Sequence, residues 1–276
     1  MTKPKITLTI AGNDASGGAG IAADLKTFAE YGTFGIAALT VIATMDPNNN
    51  WSHGITPINP KVVKDQLVTT TAGPGIDAFK TGMLPNVDII TVIANHIKEH
   101  QMTNFVADPV MVCKGEDEVL NPENAEALKD VLVPLATVAT PNLFEAAQLA
   151  GLKTLTSVED MKEAARIIHD NGAKTVVIKG GKALPGTKAI DLFFDGKEFT
   201  LFETDKIDAP SNHGAGCTFA AAITAGLAYG LTPKEAVAKA KEFVTAAIKT
   251  GFPFNQFISP VFHSGYRLSH HKAIIE

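Results

Sequence analysis

Short β-branched runs alternate with helix-spaced segments along nearly the whole chain, and this alternation limits the fold more than any single motif. Residues 6–11, 36–45, 77–80, 105–107, 138–139 and 176–178 read as strands. Residues 21–31, 60–70, 87–100, 122–132, 143–150 and 157–171 carry helical spacing between them. Such a rhythm predicts an α/β sandwich, with a mostly parallel sheet covered by helices on both faces. It changes near the end, where residues 190–194 and 198–202 flank Asp195-Gly196. An Asp-Gly pair between two strand-like runs predicts a hairpin, hence an antiparallel edge. Helices over 217–229 and 233–249 follow, and residues 252–276 show no usable period. With no repeat and no linker, one domain over residues 1–276 is expected.

In an open parallel sheet, ligands sit outside the carboxyl ends of the strands. The distinctive polar residues of this chain fall at those ends: Gly12 to Gly20, Lys80-Thr81-Gly82-Met83, Asp108-Pro109, Thr140-Pro141-Asn142 and Lys179-Gly180-Gly181. The sharpest stretch is Asn212-His213-Gly214-Ala215-Gly216-Cys217-Thr218, which leads into an alanine-rich helix. Two glycines let backbone N–H groups turn toward one point, and the positive end of the helix dipole faces the same way. That arrangement makes an anion hole suited to phosphate. Cys217 sits at the helix start, where a thiol pKa tends to fall. A buried cysteine at an ordinary glycine-containing helix start would leave the same trace.

Other motifs carry two readings each. Gly18-x-Gly20-x-x-Ala23 satisfies a permissive dinucleotide spacing but lies several residues past the strand, with no acid about 20 residues on to take a ribose. A loop packing a polar substrate against the sheet fits better, with Asp24 projecting from the next helix or merely solvated. Asn142 and Glu145 have the spacing of a capping box, and Glu145 also has the chemistry of a carboxylate on a Mg²⁺–phosphate network. The segment from Val110 to Glu118, with Cys113, Lys114 and Gly115, reads as a loop able to close over a substrate or as a plain surface connection.

Composition excludes several classes. Against 24 basic residues stand 29 acidic ones, a net charge of −5, so nucleic acid is not an expected partner. The 2 cysteines have no paired spacing, which argues against a zinc site and a structural disulfide. No apolar stretch suits a signal peptide or a membrane span, so a soluble cytoplasmic protein is expected.

Taken together, Gly12 to Gly20 with Ala23 to Phe28, Lys80 to Leu84, Asp108 to Met111, Thr140 to Glu145, Lys179 to Gly181 and His213 to Thr218 resemble the ribokinase-like superfamily. Within it they resemble the hydroxymethylpyrimidine (phosphate) kinase and pyridoxal kinase branch. The resemblance implies ATP with Mg²⁺, a homodimer, and phosphorylation of a hydroxymethyl group on a small nitrogen heteroaromatic ring. It implies a catalytic Cys217 beside an anion hole of Gly214 and Gly216. It puts Asn13, Asp24, Met45, Met83 and Cys113 on the substrate side. Asp108, Asn142, Lys179 and Gly181 fall on the nucleotide side, with Glu145 and Asp108 on the metal through water or phosphate. Pyrimidine kinases of this branch typically carry Gln or Glu where this chain has Met45. A thioether packs on a pyridine ring but cannot pair with an aminopyrimidine edge. Together with Val110 to Gly115 and His213-Gly-Ala-Gly, this resembles the pyridoxal kinase subgroup of Gram-positive bacteria. The expected substrates are therefore pyridoxal, pyridoxine and pyridoxamine, with a thiamine-pathway pyrimidine kinase and a non-enzymatic B6-binding protein as alternatives. A thiol at Cys113 or Cys217 could also add to the pyridoxal aldehyde as a hemithioacetal.

Overall fold

The structure, a computed structural model, describes residues 3–111, 122–209 and 212–270. Its strands are β1 (Ile6–Asp14), β2 (Phe34–Asp46), β3 (Ser52–Pro57), β4 (Ala78–Thr81), β5 (Phe105–Ala107), β6 (Val138–Ala139), β7 (Val176–Gly181), β8 (Lys188–Phe194) and β9 (Phe199–Asp205). They form one sheet in the order β3-β2-β1-β4-β5-β6-β7-β8-β9. Pairing is parallel from β2 through β7 and antiparallel at both margins, where β3 joins β2 and the β8–β9 hairpin joins β7. The expected sandwich and hairpin are present, and β3 is an addition. Its run Ser-His-Gly-Ile-Thr-Pro holds Gly and Pro, which read as breakers but are tolerated on an edge strand.

The helices are α1 (Gly20–Glu30), α2 (Pro60–Thr71), α3 (Val87–Glu99), α4 (Pro122–Ala127), α5 (Leu143–Ala150), α6 (Val158–Asp170), α7 (Ala215–Ala228), α8 (Pro233–Lys249) and α9 (Gly265–His270). The helix expected over residues 122–132 is not uniform: α4 passes into a π turn at Leu128–Leu132, then a 3-10 turn containing Pro134. Proline has no amide hydrogen for an α-helical bond, so the ladder cannot run through it unchanged. Among the described residues no helix is long and apolar enough to cross a membrane.

Strand periodicity sorts the core into two faces. Leu8, Ile10, Phe79 and Phe105 meet Val63, Leu67, Ile89, Ile93 and Met161 from α2, α3 and α6 on one face. Ala78, Val106, Val138 and Val177 meet α7 and α8 on the other. Phe79 and Phe105 stack across adjacent strands, with ring centroids 4.8 Å apart. Alternation along β4 then turns Lys80 to the same side as Ala78, toward α1 and α7, where Thr9 of β1 also points. Asp24 of α1 meets both, accepting from Lys80 Nζ at 3.1 and 3.0 Å and from Thr9 Oγ1 at 2.6 Å. Both charged side chains are 0% exposed. Burial alone would favour a neutral lysine, but the adjacent Asp24 carboxylate, with Cys217 and Asp108 beyond it, outweighs burial and holds the Lys80 pKa above its ordinary value.

Removing one member of such a pair strands the other charge inside the protein, which costs about 3–5 kcal/mol. Asp24→Ala is therefore expected to lower unfolding free energy by about that amount in urea titrations, while Asp24→Leu with Lys80→Met together lose much less. Equal losses in the single and double variants would show that the buried charge is not the cause.

Candidate active site

A cavity of about 620 Å³ opens over the carboxyl ends of β1, β4, β5, β6 and β7. At the β2–β3 end it is lined by Asn13, Met45, His53, Met83 and Val110. Met45 and His53 are paired partners across β2 and β3, so the unforeseen edge strand supplies part of this wall. In the middle lie Lys80, Gly214, Gly216 and Cys217, and beyond them Asp108, Asn142, Glu145, Lys179 and Gly181. The far wall includes Ile207 and Ala209 with Val244, Thr245 and Ile248 of α8, and Asp191 and Lys241 lie along it.

The floor of the middle section is built from close backbone approaches. Gly214 precedes α7 with a left-handed φ of 82°, and a Cβ there would collide with the Gly18 carbonyl oxygen. Glycine is required because the loop after β1 and the start of α7 touch backbone to backbone. Gly214 has no side chain with which to cap α7. The first amides of a helix lack intrahelical partners, and those of Gly216 and Cys217 lie at the cavity margin. His213 ties the two loops from the side: its Nε2 is 2.6 Å from Asp14 Oδ2. Asp14 also accepts from the amides of Ser16 and Ala19 and from the Ser16 hydroxyl. Burial works against its charge, but the bonds from His213 and Ser16 prevail and keep the Asp14 carboxyl below its usual range.

Charges are dense around Asp108, which is 2% exposed. It accepts from Lys179 Nζ at 2.8 Å and from Thr140 Oγ1 at 3.1 Å. Asn142 and Lys179 are neighbours through a parallel bridge, with the Lys179 amide donating to Pro141 O at 2.8 Å. Asn142 and Glu145 do form a capping box on α5, at 2.8 and 2.9 Å. That structural role does not remove Glu145 from the cavity. Burial lifts its carboxyl to about 7, opposed by Lys179 and reinforced by Asp108. Among the described residues no group of three His, Cys, Asp or Glu side chains is arranged to hold a metal ion.

Two expectations require correction. Asp24, expected against substrate, does not line the cavity: it is fully buried and paired with Lys80, which does. It is not a solvated surface carboxylate either. For Cys217, the helix start does not produce a low thiol pKa. Burial pushes the thiol up to about 11, because desolvation and the Asp24 and Asp108 carboxylates outweigh Lys80 and the Gly20 amide. Cys113 and the loop beyond Met111 lie outside the described residues. Lys80, His213 and Asp14 were visible only as letters within motifs; Lys80 could have been noticed as a lone charge in an otherwise apolar strand. His53 and the α8 wall had no local signal.

A family model described as phosphomethylpyrimidine kinase matches residues 14–262. The chain is 58% identical to the pyridoxine kinase of Bacillus subtilis over 262 residues, 95% of this chain and 97% of that protein. It superposes on the ADP complex of Bacillus subtilis pyridoxal kinase with a TM-score of 0.94 at 57% identity, covering 96% and 100% of the two chains. For Staphylococcus aureus pyridoxal kinase in complex with AMP-PCP and pyridoxal, the TM-score is 0.89 at 52% identity, covering 96% and 95%. An α/β sheet with this order, a glycine-built helix start over its strand ends and these identities place the chain in the phosphomethylpyrimidine kinase family, with its ribokinase-like fold.

Proposed function

We propose that this chain is an ATP-dependent pyridoxal kinase, transferring the γ-phosphoryl group to the 5′-hydroxymethyl group of pyridoxal, pyridoxine and pyridoxamine. One observation carries the reading. A single cavity joins an end lined by Met45 and Met83 to the amides that open α7 and then to the Asp108–Lys179 pair. Relatives solved with AMP-PCP and pyridoxal support it.

In this reading the ring lies between Met45 and Met83, where polarizable thioethers pack on an aromatic face. Asn13 supplies a polar contact beside it. The nucleotide occupies the other end, its base against Val244 and Ile248 and its phosphates toward Lys179, Asn142 and Gly181. The amides of Gly216 and Cys217 meet the charge that develops on the transferring group, a term that dominates phosphoryl transfer. Asp108 and Glu145 suit a Mg²⁺ ion held through phosphate oxygens and water, since that ion keeps several waters. When bound it would neutralise phosphate charge.

Cys217 orients the acceptor hydroxyl and takes its proton as the oxygen bonds to phosphorus and the bond to the departing ADP breaks. A thiol with a pKa of about 11 is mostly protonated at neutral pH, so it must first lose its own proton. The sign follows: the thiolate fraction, and with it kcat/KM, grows as pH rises toward that value. Wild-type kcat/KM for pyridoxal is expected to climb from about pH 7 to about pH 9, and Cys217→Ala to lower kcat by roughly 10²–10⁴ and flatten that climb. A variant with near-full kcat would remove Cys217 from the chemistry.

Ring preference offers a second measurement. Met45→Gln places an amide where a pyrimidine edge can pair, a gain of about 0.5–1.5 kcal/mol. The ratio of kcat/KM for hydroxymethylpyrimidine to that for pyridoxal is expected to rise roughly threefold to tenfold. An unchanged ratio would place Met45 away from the ring. Wild-type preference for hydroxymethylpyrimidine would replace pyridoxal kinase with a pyrimidine kinase, and no ATP consumption with either would sink both.

A further inference from the structure

The aperiodic tail carries a buried histidine aimed at the start of α7. His263 is 5% exposed and its Nε2 lies 3.1 Å from Thr218 Oγ1, which is itself 0% exposed. The same hydroxyl lies 2.8 Å from the Gly214 carbonyl oxygen. A carbonyl can only accept, so the single hydroxyl proton of Thr218 goes to Gly214 and its lone pair accepts from His263. His263 therefore carries a proton on Nε2. Burial, together with Lys26, pulls its pKa down to about 4 against the opposing Glu30, so it stays neutral near pH 7.

The tail grips the same loop through its backbone. The His213 amide donates to Ser259 O at 3.2 Å, and the Val261 amide donates to His213 O at 3.1 Å. The Phe262 amide in turn donates to Ala247 O of α8 at 2.9 Å. The tail thus links α8 to His213, the residue that precedes Gly214 and the start of α7. Gly214 is the left-handed residue there and has no side chain; its carbonyl accepts from the Thr218 amide at 2.9 Å and from the Thr218 hydroxyl at 2.8 Å.

We propose that His263 is a positioning residue for phosphoryl transfer: by donating to Thr218 it aligns the Gly214 carbonyl, and so the amides that open α7. The proposal rests on the kinase reading for its effect on turnover, but not for its effect on the helix start itself. A helix start aligned in this way also sets the surroundings of the Cys217 sulfur, which gives a readout independent of turnover.

The test compares His263→Met, His263→Gln and Thr218→Val in the full chain. Gln keeps an N–H near the Nε2 position, whereas Met keeps the volume without the donor. His263→Met is expected to lower kcat about fivefold to tenfold, the size of one lost hydrogen bond, with KM for pyridoxal and ATP within about twofold. Gln is expected to recover most of that loss. Thr218→Val should reproduce the loss, and adding His263→Met to it should change nothing further, as for two residues in one chain of bonds. Independently of turnover, the pH profile of Cys217 alkylation by iodoacetamide, read by peptide mass spectrometry, should move to higher pH in His263→Met. Unchanged kcat in Thr218→Val, additive losses in the double variant, or failure of Gln to recover in a folded protein would each overturn the proposal. If wild type phosphorylates no B6 vitamer, the kinase reading fails; the alkylation profile then decides the positioning role, and an unmoved profile overturns it.

Discussion

A fully buried ion pair sets the geometry from which the rest of the site is built. Lys80 projects from the middle of the sheet and Asp24 from the first helix, and neither has solvent to fall back on. Each is stable only at the contact distance of the other, so α1 is held at a fixed height over β1 and β4. The loop between β1 and α1 is fixed with it, and that loop packs backbone to backbone against Gly214. The same ammonium lies near Cys217, so a structural pair also shapes the field inside the cavity.

Small residues make the second constraint. The run Ala220-Ala221-Ala222 is buried, and α7 lies between the sheet, α1 and α8. A helix with little side-chain bulk brings its backbone, and therefore its dipole and first amides, close to the strand ends. The opposite face of the sheet uses Phe79, Phe105 and several isoleucines instead, because its helices need only cover the core.

The charged groups are coupled across long sequence separations. Asp108, Lys179 and Glu145 come from three different strand ends, yet Asp108 bonds Lys179 directly and both act on Glu145. Glu145 serves at once as the capping residue of α5 and as a cavity carboxylate. These roles are compatible because one oxygen accepts the Asn142 amide and the strand-end location does the rest. The capping role and a place on the cavity wall thus do not exclude each other.

The sequence alone determined the alternating elements, the parallel sheet with helices on both faces, and the clustering of polar residues at strand ends. Those properties arise from periodicity and turn chemistry, which act between near neighbours. Leu143–Ala150 and Pro233–Lys249 have the bounds their spacing predicts, since caps at Asn142 and Thr232 are local. Only the tertiary structure decided that Asp24 is buried with Lys80 and does not line the cavity, that the Cys217 thiol is raised and not lowered, and that β3 closes one wall. The tail was likewise opaque until its amides were seen to bridge to His213. Desolvation and ion pairing depend on which groups meet after folding, and those partners lie tens to hundreds of residues apart; Asp14 and His213 are separated by 199 positions. No local pattern encodes a dielectric environment, so pKa direction and burial of charge belong to the fold.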